Sequence, residues 1–405
     1  MTRVLLAGGG HTHLIAGPLL VARLGRGAQV TLLAPAPRLL YSGMMPGWLA
    51  GQYRFEDCSI DLRRVAADAG LAWEEDTLVD VDFAAREAIG AGGRRHVYDL
   101  LSLNVGSANL PGDIAPGSTV RVLGAKPFAD FVAGWKHWIA QPPAAARCVV
   151  IGGGAAAFEI ACALAAQCRA GGRLAGGSVA LASTGDRLLS GLSGIAAALA
   201  GRSLRERGVS MHLGVRYTGV RGDRVLLRAD TGAEVELPAD LAIVANGARP
   251  PAWLTASARR AGVPVQPDGG VAVDACMQAV GDGRVFASGD CASFTGALVP
   301  KSGVHALRQG APLAASIALR AEGSAGFARR PDGGPADAAR LPCTDPGSRY
   351  VPQPRSLALL NRCDGTAIAA WGPLGAAGAA WWRLKDGIDQ RFVDRFRAHH
   401  DGGAV

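Results

Sequence analysis

One pattern constrains this chain more than any other, and it occurs twice. Arg3–Ala7 is a short apolar run. It is followed at once by Gly8-Gly9-Gly10 and then by a helical apolar stretch reaching Leu24, with a second apolar run over Gln29–Leu33. Arg147–Ile151 opens the same order again, with Gly152-Gly153-Gly154, a helix expected from Phe158 to about Cys168, and an apolar run over Ser178–Ala182. A strand, a glycine turn, a helix and a second strand begin a doubly wound parallel sheet. Two copies this far apart are a repeated fold rather than a solenoid unit. The glycines let backbone approach a pyrophosphate, and the helix N-terminus that follows supplies N–H groups and partial positive charge. Gly8 and Gly10 fit that spacing, with His13 where a third glycine is usual. Gly152 and Gly154 fit it with Ala157 third.

The expected fold is therefore α/β, with two Rossmann-like dinucleotide-binding domains, the second inserted into the first, then a C-terminal β-hairpin and helix. The boundaries read as 1–115 with 265–321 for the first domain and 116–264 for the second. Segment 322–348 reads as a low-complexity insertion rich in Gly, Ala, Arg, Asp and Pro, and 349–405 as the hairpin and helix. Phe128, Phe131, Trp135 and Trp138 recur at helical spacing in a connecting helix over Pro127–Ile139. Arg355–Leu360 and Thr366–Trp371 flank the hairpin dipeptide Asp364-Gly365.

Composition narrows the function classes. Hydrophobic residues are 49% and charged residues 19% of 405, which excludes a disordered chain. The net charge is +8, and Lys occurs only at 126, 136, 301 and 385. The basic excess is thus arginine, from codon bias or for anionic partners. No aromatic-basic groove pattern accompanies it, so no nucleic-acid partner is expected. The eight cysteines, at 58, 148, 162, 168, 276, 291, 343 and 363, form no C-x-x-C pair, so no metal site is expected. Cys162 and Cys168 fall on different faces of a helix, which argues against thiol–disulfide chemistry. The spacing gives no support to a pairing of Cys343 with Cys363. The expected location is cytoplasmic.

Two further strand ends, Tyr98–Ser107 and Asp240–Pro250, place Gly106 and Gly247 at their close, and Gly283–Ala292 ends a strand at Gly289-Asp290. Together these motifs resemble the flavoprotein superfamily of pyridine-nucleotide-disulfide reductases and type II NADH dehydrogenases, over almost the whole chain. Gly8–His13, Leu40–Gly47, Tyr53–Cys58 and Trp381–Phe392 resemble more closely the flavoprotein module fused to selenide, water dikinase in some bacteria.

The resemblance implies bound FAD, NADH or NADPH as co-substrate, and electron transfer to a small-molecule acceptor such as a quinone. Its alternative is a flavin-binding accessory protein for selenium handling with little independent turnover. It implies cofactor-binding residues at Gly8, Gly10, His11, Pro46, Gly106, Gly152, Gly154, Ala157, Gly247, Gly289, Asp290 and Lys301. Asp290 would meet the ribityl chain. Glu159, near the flavin–nicotinamide contact of relatives, and Lys301, which would compensate an anionic reduced flavin, are the catalytic candidates.

Departures from the pattern are equally definite. Ala34-Pro35 stands where an acidic residue grips the FAD ribose. Ser183 stands where NADH enzymes carry Glu or Asp, with Arg187 nearby for a 2′-phosphate. Val304 and Arg308 stand where type II dehydrogenases carry two glutamines, and His305 faces either the flavin or the core. On 379–397, Trp381, Leu384, Ile388, Phe392 and Phe396 form one stripe with Arg and Lys off it. Such a helix meets a membrane surface peripherally, at the inner membrane face, or packs on its own body or on a second copy in a homodimer.

Overall fold

The computed structural model describes residues 1–169, 171–326, 345–353 and 355–397. The chain divides into two compact units, described separately below. The first comprises Met1–Leu39, Asp61–Ser107 and Arg249–Pro352; the second comprises Leu40–Ile60, Ala108–Ala248 and Gln353–Val405.

Each unit is built on a five-stranded parallel sheet. In the first unit the order is Val285–Ala287, Leu100–Leu103, Thr2–Ala7, Ala28–Ala34, Ala72–Glu75. In the second it is Arg121–Gly124, Leu241–Val244, Arg147–Ile151, Ser178–Ser183, Ser210–Leu213. The strand leading into the glycine turn is central in both. Strands covered on both faces read as unbroken apolar runs, and Val4–Ala7, Cys148–Ile151 and Leu241–Val244 are buried at every position. The mixed α/β class with two parallel, Rossmann-like sheets follows the sequence pattern closely.

The repeat extends to individual hydrogen bonds. Gly8 N–H donates to Leu33 O at 2.7 Å, and Gly152 N–H donates to Ala182 O at 2.8 Å. Asn104 N–H donates to Ala7 O and Ala245 N–H to Ile151 O, both at 2.8 Å. Each turn is thus tied to both flanking strands by backbone alone. The helices that follow, His11–Leu24 and Ala155–Gln167, begin at Gly10 and Gly154 with no side-chain cap and no acidic residue in the first turn.

The connecting helix spans Phe128–Ala140 and buries Phe131 and Trp135. The helix Gly303–Gly326 carries through the first residues of the 322–348 segment, whose positions 327–344 lie outside the described residues. The C-terminal hairpin gains a third strand, in the order Ala358–Asn361, Ala367–Trp371, Leu374–Gly378. The final helix, Ala379–Asp394, buries Lys385, Asp389 and Val393 and leaves Leu384 42% and Ile388 46% exposed. Its inner face therefore contains an ion pair, and two of the five stripe residues point outward.

In the first unit the two helices His11–Leu24 and Gly303–Gly326 meet closely at Gly310. A Cβ there would lie 2.5 Å from Ile15 Cβ and 3.2 Å from Thr12 O. Helix propensity favours alanine over glycine by about 1 kcal/mol. The obstructing atoms are a β-carbon and a backbone oxygen, which cannot swing aside, and overpacking costs about 1–3 kcal/mol. Gly310→Ala should therefore lower the urea midpoint, and a raised midpoint would show that propensity wins.

Candidate functional site

At the first turn, Gly8 has φ +102° and Gly10 starts the helix in extended backbone. A Cβ on Gly8 would lie 2.3 Å from Asn104 O, and one on Gly10 would lie 2.0 Å from Asn104 Oδ1. Glycine is thus demanded at Gly8 by contact as well as by conformation, and at Gly10 by contact. Gly9 is packed against Leu62 and Ala34, which explains why the end of the Ala28–Ala34 strand carries a small apolar residue. Gly106, at φ +73°, has open space where a side chain would project. Two polar atoms buried around this turn, Asn104 Oδ1 and Ser288 Oγ, have no hydrogen-bond partner among the described residues. The uncapped helix start and half-buried turn backbone fit a dinucleotide diphosphate, and of the two unmet atoms the Ser288 hydroxyl has a proton to donate.

His13 braces the turn itself, while Asn104 and Gln309 brace the neighbouring Ser288-Gly289 strand end. His13 is fully buried. Its Nδ1 lies 2.7 Å from Gly8 O and its Nε2 2.8 Å from Ser102 Oγ. Burial lowers its pKa to about 4, so the ring is neutral at pH 7. Asn104 Nδ2 donates to Ser288 O at 2.9 Å, and Gly289 N–H donates to Gln309 Oε1 at 2.6 Å. His11 sits at the helix start beside Gly10, within hydrogen-bonding surroundings of its own.

The Gly289-Asp290 strand end lies in the same unit. Ser107 Oγ donates to Asp290 Oδ2 at 2.7 Å. Lys301 Nζ donates to Asp290 O at 2.8 Å and forms an ion pair with Asp268 at 2.9 Å. Burial works against the Asp268 charge, but hydrogen bonds from Lys301, Gly270 N–H and Ser293 outweigh it and hold the pKa lowered. The Lys301 charge is therefore already matched by a carboxylate. His305 is buried with Nδ1 2.5 Å from Tyr350 Oη, and burial lowers its pKa.

The second turn repeats the arrangement. A Cβ on Gly152, at φ +140°, would lie 2.9 Å from Ala245 O and 3.1 Å from Ala157 Cβ. Gly154 and Gly247 face open space, and Ala157 is buried under the turn. Ser183 Oγ accepts from Gly185 N–H at 3.3 Å. The Arg187 guanidinium donates to Ser190 O at 3.0 Å on the exposed loop beyond it.

Glu159 lies one turn into the second helix and faces the C-terminal sheet and helix. Its Oε1 accepts from Asn361 N–H at 2.6 Å, and the Lys385 charge acts on it. Lys385 Nζ bonds Asp389 Oδ2 and Gly43 O, each at 2.6 Å. Burial is the main cause of a Glu159 pKa raised to about 7, with Lys385 and the Asn361 N–H pulling it down. Pro46, in the same unit, heads the short helix Met45–Leu49, and its carbonyl accepts from Cys363 Sγ at 3.7 Å. The structure thus gathers Gly8, Gly10, Gly106, Gly289, Asp290 and Lys301 in the first unit. Pro46, Glu159 and the second-turn residues fall in the other. Sequence reasoning missed Ser102, Asn104, Gln309, Lys385 and Asp389. The rarity of lysine, four in 405 residues, is the one signal in the sequence that points to Lys385.

Cys58, Cys148, Cys162, Cys291 and Cys363 are buried free thiols, and Cys168 is half-buried. Burial pushes Cys58 and Cys162 up to about 12, far from the range of a reactive thiolate. Cys343 lies outside the described residues. Among the described residues no cluster of ligating side chains could hold a metal, and no helix is long and apolar enough to cross a membrane.

Solved structures share this fold. The sulfide:quinone oxidoreductase of the hyperthermophilic bacterium Aquifex aeolicus superposes with TM-score 0.74 at 16% identity, covering 98% of this chain and 92% of that one. NDH2 from Plasmodium falciparum, in complex with NADH, gives 0.75 at 11% identity, covering 100% and 99%. An NAD-dependent persulfide reductase from A. fulgidus gives 0.66 at 20%, covering 91% and 64%. At these identities the likeness is one of fold. The family match goes further, because residues 2–310, which hold both glycine turns and the Gly289-Asp290 strand end, match Pyridine nucleotide-disulphide oxidoreductase. The chain belongs to that family, and is an FAD-dependent NAD(P)H oxidoreductase.

Proposed function

We propose that this enzyme takes electrons from NADH or NADPH held at the Gly152–Gly154 turn, through FAD held at the Gly8–Gly10 turn, to a quinone or another small-molecule acceptor. The observation that carries the reading is the twofold glycine turn, each copy followed by an uncapped helix without acidic residues in its first turn. FAD, when bound, supplies reversible two-electron chemistry. The chain supplies the rest. Backbone N–H groups at each turn hold the diphosphates, with Gly106 and Gly247 leaving room beside them. Asp290, oriented by Ser107, accepts a hydrogen bond from the flavin's polyol chain. Lys301 holds the Asp290 backbone in place from its pairing with Asp268. Glu159, raised to about 7 by burial and bonded to the Asn361 N–H with Lys385 acting on it, is a carboxyl beside the second turn that can hold a proton near neutral pH.

A second reading draws on the closer resemblance to the module fused to selenide, water dikinase. It makes the chain a flavin-binding accessory protein for selenium handling. Ala34 packed against Gly9, where a ribose-binding acid would stand, favours it. The exposed Leu384 and Ile388, with exposed Arg391 and Arg395 farther along the helix, favour peripheral membrane contact through 379–397 over burial within one copy.

Four outcomes test these readings. The purified protein should show a flavin spectrum that bleaches anaerobically with NADH or NADPH. A flavin that neither reduces would sink the oxidoreductase reading and leave the accessory one. Glu159→Gln should abolish a carboxyl infrared band that titrates near pH 7 in the wild type. Since the folded pKa of Glu159 is raised from 4.5, its neutral form favours folding at low pH. Wild-type stability should therefore fall relative to Glu159→Gln as pH rises from about 4.5 to about 7, measured as urea midpoints. Wild-type protein should co-sediment with anionic vesicles, and Leu384→Asp with Ile388→Asp should not. Equal sedimentation of both would rule out this helix as the contact.

A further inference from the structure

His13 occupies the place where a dinucleotide turn ordinarily has a glycine for close helix–strand packing. Here the strand facing it gives room in another way. Leu100–Leu103 is buried at every position, and the one polar residue in this apolar run, Ser102, meets the imidazole. Both ring nitrogens are engaged, one with Gly8 O and one with Ser102 Oγ, and neither residue has any exposed surface. A carbonyl can only accept, so Nδ1 carries the proton and Nε2 accepts from the serine hydroxyl. This fixes one neutral tautomer.

The consequence for the turn comes from peptide planarity. The Gly8 carbonyl and the Gly9 N–H belong to one trans peptide and point in opposite directions. With the Gly8 carbonyl held toward His13, the Gly9 N–H is held away from it. The Gly8 N–H is fixed independently by Leu33 O. Both peptide planes of the first glycine are therefore set before any ligand arrives.

We propose that His13 is the positioning residue of the FAD site. By donating from Nδ1 to Gly8 O while accepting from Ser102, it presets the peptide that meets the cofactor's diphosphate. This rests on the reading that FAD binds at the first turn. It replaces a glycine's permissive packing with a directed polar brace.

The test uses apoprotein prepared from the full chain and measures the dissociation constant of FAD by quenching of flavin fluorescence. His13→Ala should weaken FAD binding about tenfold or more, the scale of one buried hydrogen bond lost together with preorganisation. His13→Asn restores a donor at the Nδ1 position and should recover most of the loss, whereas Ser102→Ala should give an intermediate value. Wild-type protein labelled with ¹⁵N-histidine should show one neutral Nδ1–H ring that persists to pH 5. The proposal is overturned if His13→Ala binds FAD as tightly as wild type, if His13→Asn is no better than His13→Ala, or if the ring is the Nε2–H tautomer. Should His13→Ala fail to fold, Ser102→Ala and the tautomer decide. Gly10→Val separates the two ideas. If it also leaves FAD binding unchanged, the placement of FAD at this turn fails. If it alone abolishes binding, only the role of His13 fails.

Discussion

The structure depends on a close approach of backbone to backbone. At each glycine turn the chain leaving the central strand passes so near the end of the neighbouring strand that a β-carbon would strike its carbonyl, at 2.3 Å from Asn104 O in one unit and 2.9 Å from Ala245 O in the other. No side chain can relieve that contact, because the obstructing atoms belong to the sheet. The helix is thereby drawn over the strand ends with its first N–H groups uncapped.

That fact is also why so much of the fold is legible in the sequence. A contact only glycine can make leaves glycine in the sequence, and strands buried on both faces leave apolar runs beside it. The brace around the turn is less visible. His13 reads as a departure from a glycine pattern, and nothing in its neighbours announces Ser102, 89 residues away in the chain. The third C-terminal strand, Leu374–Gly378, is two glycines and two alanines behind a leucine, with no alternation to mark it. It pairs because Ala367–Trp371 offers it an edge.

The C-terminal helix shows where patterning misleads. A stripe of Trp381, Leu384, Ile388, Phe392 and Phe396 suggests the buried face, yet Lys385 and Asp389 are inside. A lone buried charge costs several kcal/mol, which a hydrophobicity scale registers as a prohibition. The scale sees residues singly and cannot see a pair. Lys385 and Asp389 are one helical turn apart, 2.6 Å from contact to contact, with the Gly43 carbonyl taking another ammonium proton and Glu159 adding a second nearby carboxylate. With its hydrogen bonds met inside the unit, the pair is tolerated, and the aliphatic residues it displaces are turned outward.

The same pairing governs the half-buried Lys301 and changes the meaning of the chain's net charge of +8. Lys301 is matched by Asp268, and Lys385 by Asp389. Neither brings an unspent positive charge to its site. At the first turn, the proposed FAD site, the buried residue bonded to the Gly8 carbonyl, His13, is held neutral by burial. In the proposed binding mode, attraction for an anionic cofactor at that turn draws on oriented peptide dipoles and uncapped N–H groups, which act at hydrogen-bond range. Such a site recognises a diphosphate by shape and direction. Exposed arginines such as Arg54 and Arg63 act at longer range and are screened by salt.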